Sequence, residues 1–161
     1  MRVNAVTHFG DFLQSVPGLA EFGSDDLAVL ERAMTVTNYR EGHQFIGEDR
    51  RSSEIYLIVT GEVVATHRRS HRRGLDIYER LGPGDLFGLV AMIDHRPEWA
   101  TYRAVGPVTA ASLPYSAFDL LFTASTPIAY RFQHLIALQL GRDLRACARM
   151  AAEGFATKKS A

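Results

Sequence analysis

The sequence predicts a mainly β sandwich or barrel with helices at both ends. Short runs rich in β-branched and aromatic residues fill the middle of the chain, glycines divide these runs, and helical periodicity appears only before and after them. Short strands separated by glycine turns at this density are typical of all-β barrels. The length of 161 residues fits a single domain. We expect one domain over residues 1–161, with the barrel at about 34–113 and C-terminal helices at about 115–151.

The first third of the chain has the spacing of helices. Apolar residues recur at helical intervals from Phe9 to Val16, and Pro17 then interrupts the pattern. A second helix is expected to begin with Ser24 as its N-cap, because two aspartates follow in the first turn, where the helix dipole favours negative charge.

The middle of the chain supplies the strands. Each expected strand is a short run of β-forming residues that ends near a glycine or a proline. The runs are Glu54–Val59, Glu62–Thr66, Leu75–Leu81, Trp99–Val105 and Val108–Leu113.

Helix is expected again after Pro114, first in a short segment and then, from about Ile128 to Ala151, in a long helix opened by Pro127. Apolar and small residues lie at spacings of three and four along the long helix. This stripe consists of Ala137, Leu140, Leu144, Cys147 and Ala151. We expect it to join two copies of the chain as a homodimer, and packing on its own barrel is the alternative.

Three segments, in this order, resemble the cyclic nucleotide-binding domain family. Tyr39–Val63 resembles its glycine-bounded second hairpin, Leu81–Gly88 the approach to its phosphate-binding cassette, and Pro114–Ile136 the helices after the barrel. The resemblance covers roughly residues 10–150 and implies a double-stranded β-helix (jelly-roll) barrel. The sensor half of bacterial Crp/Fnr-type regulators is most similar. We expect the DNA-reading half to be missing, because the chain leaves no room for a helix-turn-helix after the long helix, and we therefore expect no direct DNA binding.

The resemblance also assigns roles within the cassette, which reads Phe-Gly-Glu, a short helix, a loop, then Arg-x-Ala-Thr/Ser. The helix amides and the arginine hold the cyclic phosphate, and the glutamate accepts a hydrogen bond from the ribose 2′-hydroxyl. In this chain Leu89 stands in the position of the glutamate, and Glu98 in that of the arginine. The corresponding pocket positions are Phe87, Gly88, Leu89, Val90, Ala91, Arg96, Glu98, Trp99, Ala100 and Thr101.

These two replacements predict an altered or empty pocket. An ionised carboxylate about 4 Å from a phosphate oxygen is repelled by roughly 4 kcal/mol at an effective dielectric constant of about 20. We therefore expect a regulatory sensor or interaction module that does not bind cAMP or cGMP in the usual way. The alternative is a genuine receptor with an atypical pocket, in which Arg96 swings in from its loop. A simpler interpretation is that Leu89 fills the core and Glu98 is a solvated charge at a strand edge.

Composition excludes several other functions. The formal net charge is zero, so no chain-wide basic field collects nucleic acid or anionic lipid. The single cysteine cannot form an internal disulfide, and no apolar run is long enough to span a membrane, so a cytoplasmic location is expected. The six histidines lack the spacing of a metal site, and no nucleophile constellation is present, so we expect no enzyme, metal or cofactor.

One dense basic run, His67–Arg73, lies between two expected strands. A solvated hairpin tip is the ordinary interpretation of such a run. A docking patch for an acidic partner is the alternative, and a protein partner is the expected kind of partner for the chain as a whole.

Overall fold

The computed structural model describes residues 9–68, 75–123 and 127–159. The helices are α1 (Phe9–Ser15), α2 (Ser24–Ala33), α3 (Val90–Asp94), α4 (Tyr115–Thr123) and α5 (Pro127–Lys159), with a 3₁₀ turn at Pro17–Leu19. The strands are β1 (Thr35–Tyr39), β2 (Gln44–Ile46), β3 (Glu54–Thr60), β4 (Val63–Arg68), β5 (Leu75–Leu81), β6 (Leu86–Phe87), β7 (Thr101–Ala104) and β8 (Val108–Pro114).

The strands form two four-stranded sheets, ordered β1-β8-β3-β6 and β2-β7-β4-β5. The strand pairs are antiparallel, as in β3 with β8, where Ile55 lies opposite Leu113. This is the mainly β architecture with flanking helices that the sequence predicts.

Two clusters of buried side chains hold these layers together. The inter-sheet core consists of Ile46, Tyr56, Ile58, Val63, Ala65, Leu81, Phe87, Ala100, Tyr102, Ala104, Val108, Ala110 and Ala146. The helix-facing core consists of Phe9, Leu13, Val16, Leu19, Phe22, Leu27, Leu30, Met34, Ile55, Leu57, Leu86, Leu89, Met92, Ala111, Leu113, Ile128, Phe132, Leu135 and Ile136. Strand β3 serves both cores, because successive side chains of a strand point to opposite faces.

The start of α2 differs from the sequence prediction. The N-cap is Gly23, whose carbonyl oxygen accepts a hydrogen bond from the N–H of Leu27 at 3.0 Å. Ser24 is the first helical residue and not the cap, and no side-chain cap bond forms. The prediction of Ser24 as N-cap was wrong by one residue because a glycine also adopts the extended cap conformation easily.

Helix α5 continues beyond Ala151 to Lys159 and is fixed to the barrel by polar contacts. Gln139 is 1 % exposed. Its Oε1 accepts a hydrogen bond from the N–H of Leu86 at 3.3 Å, and its Nε2 donates to Asp143 Oδ1 at 2.8 Å. Arg142 donates to Asp85 Oδ1 at 2.7 Å. These contacts tie α5 to the turn that leads into β6.

The stripe predicted to join two copies is divided between the domain and its surface. Leu140 is half-buried against the helix-facing core, and Cys147 is half-buried against the inter-sheet core. Leu144 is 71 % exposed, and Ala137 and Ala151 are exposed as well. Dimerisation through this helix stays a prediction, but only the exposed members are free to meet a second copy.

The basic run begins at the end of β4, and its residues 69–73 lie outside the described residues. Strands β4 and β5 pair from Val63 opposite Leu81 to Arg68 opposite Leu75. The run therefore joins two paired antiparallel strands. Among the helices of the described chain, none combines the length and apolar character needed to cross a bilayer.

Candidate functional site

The cassette begins at a sharp turn between β6 and α3. Gly88 has a φ of +81°, and a Cβ at this position would lie 2.8 Å from the carbonyl oxygen of Glu54. Only glycine adopts this conformation without strain and leaves room for the neighbouring strand. The turn directs the chain into α3, which ends at His95 in the left-handed conformation, with a φ of 57°.

Leu89 is a core residue. It is 2 % exposed and belongs to the helix-facing core together with Met92 of α3. The interpretation of Leu89 as core filling is therefore correct. Where the resemblance implies a carboxylate for a ribose hydroxyl, this chain has an apolar side chain packed against its own helices.

Glu98 is buried, contrary to its interpretation as a solvated charge at a strand edge. It is 2 % exposed, and neither carboxylate oxygen has a hydrogen-bond partner of normal geometry among the described residues. Its backbone is paired with the loop after β2: the N–H of Asp49 donates to Glu98 O at 2.7 Å, and the N–H of Glu98 donates to Arg50 O at 2.8 Å. These two bonds hold the residue in place and turn its side chain inwards.

Burial raises the pKa of the Glu98 carboxyl to about 7. The backbone N–H of Ala91 in α3 lies near enough to lower this pKa in part, while the carboxylates of Asp94 and Asp143 raise it further. A carboxyl removed from water favours its neutral form. Glu98 thus takes up a proton close to neutral pH, unlike an arginine, which stays charged.

Aromatic rings fill the barrel interior next to Glu98. The ring of Phe87 stacks on Tyr56 and on Tyr102, with centroid distances of 5.1 Å in both pairs, and Phe45 meets Phe87 edge-on at 5.3 Å. Burial raises the pKa of Tyr102 above its usual range, and the Glu98 charge adds to the effect. Phe87 is therefore a packing residue.

The other cassette positions have mixed surroundings. Ala100 is fully buried, Ala91 is buried, and Val90 is half-buried. The Thr101 hydroxyl accepts a hydrogen bond from the N–H of Glu48 at 3.0 Å. The carbonyl oxygen of Trp99 lies 2.7 Å from Nδ1 of His67.

Arg96 lies in the exposed loop after α3, and its N–H donates to Asp94 Oδ1 at 2.9 Å. Within the described residues no ion pair joins Arg96 to Glu98. The structure therefore buries both Leu89 and Glu98, places Leu89 in the helix-facing core and Phe87 and Ala100 in the inter-sheet core, and leaves Arg96 in an exposed loop.

Sequence reasoning missed three residues near the pocket. Gln139 and Asp143 on α5 connect the helix to the barrel, and the buried hydroxyl of Tyr115 has no hydrogen-bond partner among the described residues. Burial raises the pKa of Tyr115 to about 12, and the charge of Glu98 contributes. Gln139 carried a signal, since it interrupts the apolar spacing of Phe132 and Leu135 on one face of α5.

No group of three or more histidine, cysteine, aspartate or glutamate side chains in the described part of the chain could hold a metal ion. The arrangement offers instead a buried, neutralisable carboxyl behind a glycine turn. Arg96 is the cationic residue among the cassette positions, and it lies in an exposed loop.

The sequence profile of the cyclic nucleotide-binding domain matches residues 36–125. The chain belongs to the cyclic nucleotide-binding domain family. A curated relative, the cAMP-dependent protein kinase regulatory subunit of Eremothecium gossypii, is 34 % identical over 113 residues, which are 70 % of this chain and 24 % of that protein. The corresponding subunit of Mycosarcoma maydis is 29 % identical over 63 % of this chain and 19 % of its own. The chain spans about a quarter or less of the length of these relatives.

Solved structures show the same fold. A cyclic nucleotide-binding domain from Methylobacillus flagellatus has a TM-score of 0.80 and 19 % identity, over 92 % of this chain and 83 % of that one. The c-di-GMP-responsive regulator CLP of Xanthomonas campestris has a TM-score of 0.71 and 18 % identity, over 81 % and 63 % of the chains. The regulatory subunit of a cAMP-independent protein kinase A from Trypanosoma brucei has a TM-score of 0.64 and 20 % identity, over 80 % and 50 %.

Proposed function

We propose that this domain is a regulatory or interaction module that does not hold cAMP or cGMP in the usual way. The observation that carries the proposal is Glu98, a buried carboxyl in the position where the resemblance implies the phosphate-binding arginine; among the described residues its oxygens have no hydrogen-bond partner of normal geometry. A phosphate placed there meets a side chain that can only be neutral or negative.

The missing arginine accounts for the larger part of the expected loss of binding free energy for a cyclic nucleotide. Because the pKa of Glu98 is about 7, keeping this carboxyl protonated at about pH 8 costs only about 1.4 kcal/mol. An incoming phosphate therefore need not face the full repulsion expected from the sequence. Losing a buried arginine–phosphate contact costs about 2–5 kcal/mol. That alone weakens binding by between one and about four decades.

Leu89 adds a second penalty on the ribose side. A buried ribose hydroxyl facing an apolar side chain has no partner, which costs about 1–3 kcal/mol. Leu89 packs in the helix-facing core and offers a ribose hydroxyl neither a donor nor an acceptor. Both anchors implied by the resemblance are thus replaced by groups that disfavour a cyclic nucleotide.

The comparisons support this proposal by analogy. The trypanosome regulatory subunit named above is described as part of a cAMP-independent kinase. A triple variant of it, in which one change introduces an arginine, is described as bound to cAMP in its A site. A domain of this fold can therefore belong to the regulatory subunit of a kinase that is named as cAMP-independent.

Calorimetry with cAMP and cGMP tests the proposal directly. We expect no dissociation constant below about 10 µM for either nucleotide. Thermal melting with and without millimolar nucleotide gives an independent reading, since a ligand bound to the folded state raises its stability by mass action. Tight binding of either nucleotide contradicts the proposal and favours the second candidate, an atypical cyclic nucleotide receptor.

Restoring the anchors tests whether the two residues are the cause. The double variant Leu89→Glu with Glu98→Arg should gain affinity for cAMP or cGMP by at least about tenfold. Glu98→Gln is the matched control, because it removes the acid without supplying a cation. If the double variant melts cooperatively and still gains nothing over Glu98→Gln, the cassette differs from the family in more than these two positions.

We further infer that this module acts through a protein partner in the cytoplasm. The relatives are regulatory subunits of a kinase, and by name such subunits act on another protein. No cofactor, metal or catalytic step enters this proposal.

A further inference from the structure

A polar groove of about 550 Å³ lies on the outer face of the second sheet. Tyr102 and Ala104 of β7 belong to the inter-sheet core, so Thr101 and Arg103, which alternate with them, face outwards. The loop between β2 and β3 forms one wall of the groove. The lining includes Gln44, Arg50, Thr66, Arg68, Thr101 and Arg103.

The two carboxylates that line the groove, those of Glu48 and Asp49, share one arginine, Arg68. Arg68 Nη2 lies 2.9 Å from Asp49 Oδ2, and Arg68 Nε lies 3.4 Å from Glu48 Oε2. The backbone N–H of Arg68 also donates to Glu48 Oε2, at 3.1 Å. His67 Nδ1 approaches the other Glu48 oxygen at 3.3 Å. Arg68 therefore balances one of the two negative charges, and the other offsets part of the positive charge of the groove.

Two further arginines have no carboxylate partner among the described residues. Arg103 donates to the carbonyl oxygen of Gly42 at 2.9 Å and to Gln44 Oε1 at 2.7 Å. These neutral acceptors fix the guanidinium in place without cancelling its charge. Arg50 is exposed, and no hydrogen bond or ion pair of its side chain is formed with the described residues. The lining thus holds three guanidinium groups against two carboxylates, which leaves a net charge of one positive. Arg103 is preorganised by its two neutral acceptors, and Arg50 is free to reach a ligand.

We propose that this groove binds the phosphate group of a small molecule, at a site that shares Thr101 with the cassette but is lined by neither Leu89 nor Glu98. A phosphate has oxygens on several sides and calls for donors from more than one group, whereas a single arginine fork satisfies a carboxylate. Arg50, Arg103 and the hydroxyl proton of Thr101, whose oxygen already accepts from Glu48, are such donors. The volume lies within the range of about 300–1,000 Å³ typical of small-ligand sites.

Titration of the ¹⁵N-labelled chain with sodium pyrophosphate tests the proposal. In about 0.15 M sodium chloride, we expect saturable shifts confined to the amides of residues 47–50, 66, 101 and 103, with a dissociation constant below about 1 mM. Shifts that do not saturate, or that spread over all surface arginines, overturn the proposal. Tighter binding of a poly-glutamate peptide than of pyrophosphate also overturns it, and identifies an acidic peptide site instead.

Single substitutions inside and outside the groove test where pyrophosphate binds. Arg50→Ala, which breaks no hydrogen bond or ion pair of the described chain, and Arg103→Gln should each weaken pyrophosphate binding by at least about tenfold. Arg51→Ala removes a neighbouring exposed arginine that does not line the groove, and should change affinity by less than about twofold. Glu98→Gln should also leave it unchanged. Equal weakening by Arg51→Ala, or loss only in Glu98→Gln, contradicts the assignment.

Discussion

Replacing Glu98 with glutamine should remove a defined part of the pH dependence of stability. In the folded protein the pKa of Glu98 is raised from 4.5 to about 7, mainly by burial. The folded state therefore holds a proton that the unfolded chain releases. The stability from this group is fully present below about pH 4.5 and is lost as the pH rises through about 7. The total loss is about 3 kcal/mol, from the shift multiplied by about 1.36 kcal/mol per pH unit.

Urea denaturation of the wild-type chain and of Glu98→Gln, at several pH values between about 5 and about 8, measures this loss. Glutamine has nearly the same shape and no proton to release, so the variant should gain stability relative to the wild type by about 2–3 kcal/mol across that range. The sign is fixed by burial: the variant becomes relatively more stable as the pH rises.

A second carboxyl with a raised pKa, that of Glu79, serves as an internal control. Burial raises the pKa of half-buried Glu79 to about 7, with help from Asp143 and Asp85. Glu79 contributes to the pH dependence of both proteins and cancels in their difference. A difference between wild type and Glu98→Gln that stays constant from about pH 5 to about pH 8 would refute the reasoning, because it would place the Glu98 carboxyl in contact with water.

Two further predictions concern assembly and the cassette turn. Light scattering at tens of micromolar should show a dimer for the wild type and a folded monomer for Leu144→Glu. The control is Leu120→Glu, at a residue of α4 that is 73 % exposed, and this variant should stay dimeric. A monomeric wild type contradicts the prediction. Gly88→Ala should lower the free energy of unfolding by about 1–3 kcal/mol in urea, because of its positive φ and the close approach of Glu54 O. Gly82→Ala, where a Cβ meets no atom within 4 Å, should cost much less, and equal losses would show that the turn imposes no strain.

The sequence predicted the strands that carry a strong pattern and missed the weak ones. The expected strand Leu75–Leu81 coincides with β5, and Val108–Leu113 lies within β8. Strand β6 has two residues, too few for any periodicity, and exists because Phe87 pairs with Tyr56. Strand β1 is mostly exposed, so it lacks an apolar alternation that could distinguish it from a loop.

For the site, the sequence located the positions but not their surroundings. A glutamate near the start of a strand is usually solvated, and nothing local indicates that the Glu98 side chain turns inwards. That orientation depends on two backbone hydrogen bonds to the loop after β2, about fifty residues away in sequence. For a similar reason the sequence did not show that the predicted dimer stripe is divided between the core of the domain and its surface. Helical spacing cannot distinguish Leu140, which packs on its own domain, from Leu144, which does not.

The cassette residues that match the family are those that the fold itself requires. Gly88 permits the turn, Phe87 stacks in the inter-sheet core, and Ala100 is fully buried against it. These residues would be retained whether or not a ligand binds, because replacing any of them strains or overpacks the barrel. The two positions to which the resemblance assigns contact with the ligand are those occupied by Leu89 and Glu98. Agreement at the matching positions therefore supports the fold, and only the two differing positions bear on what the pocket can hold.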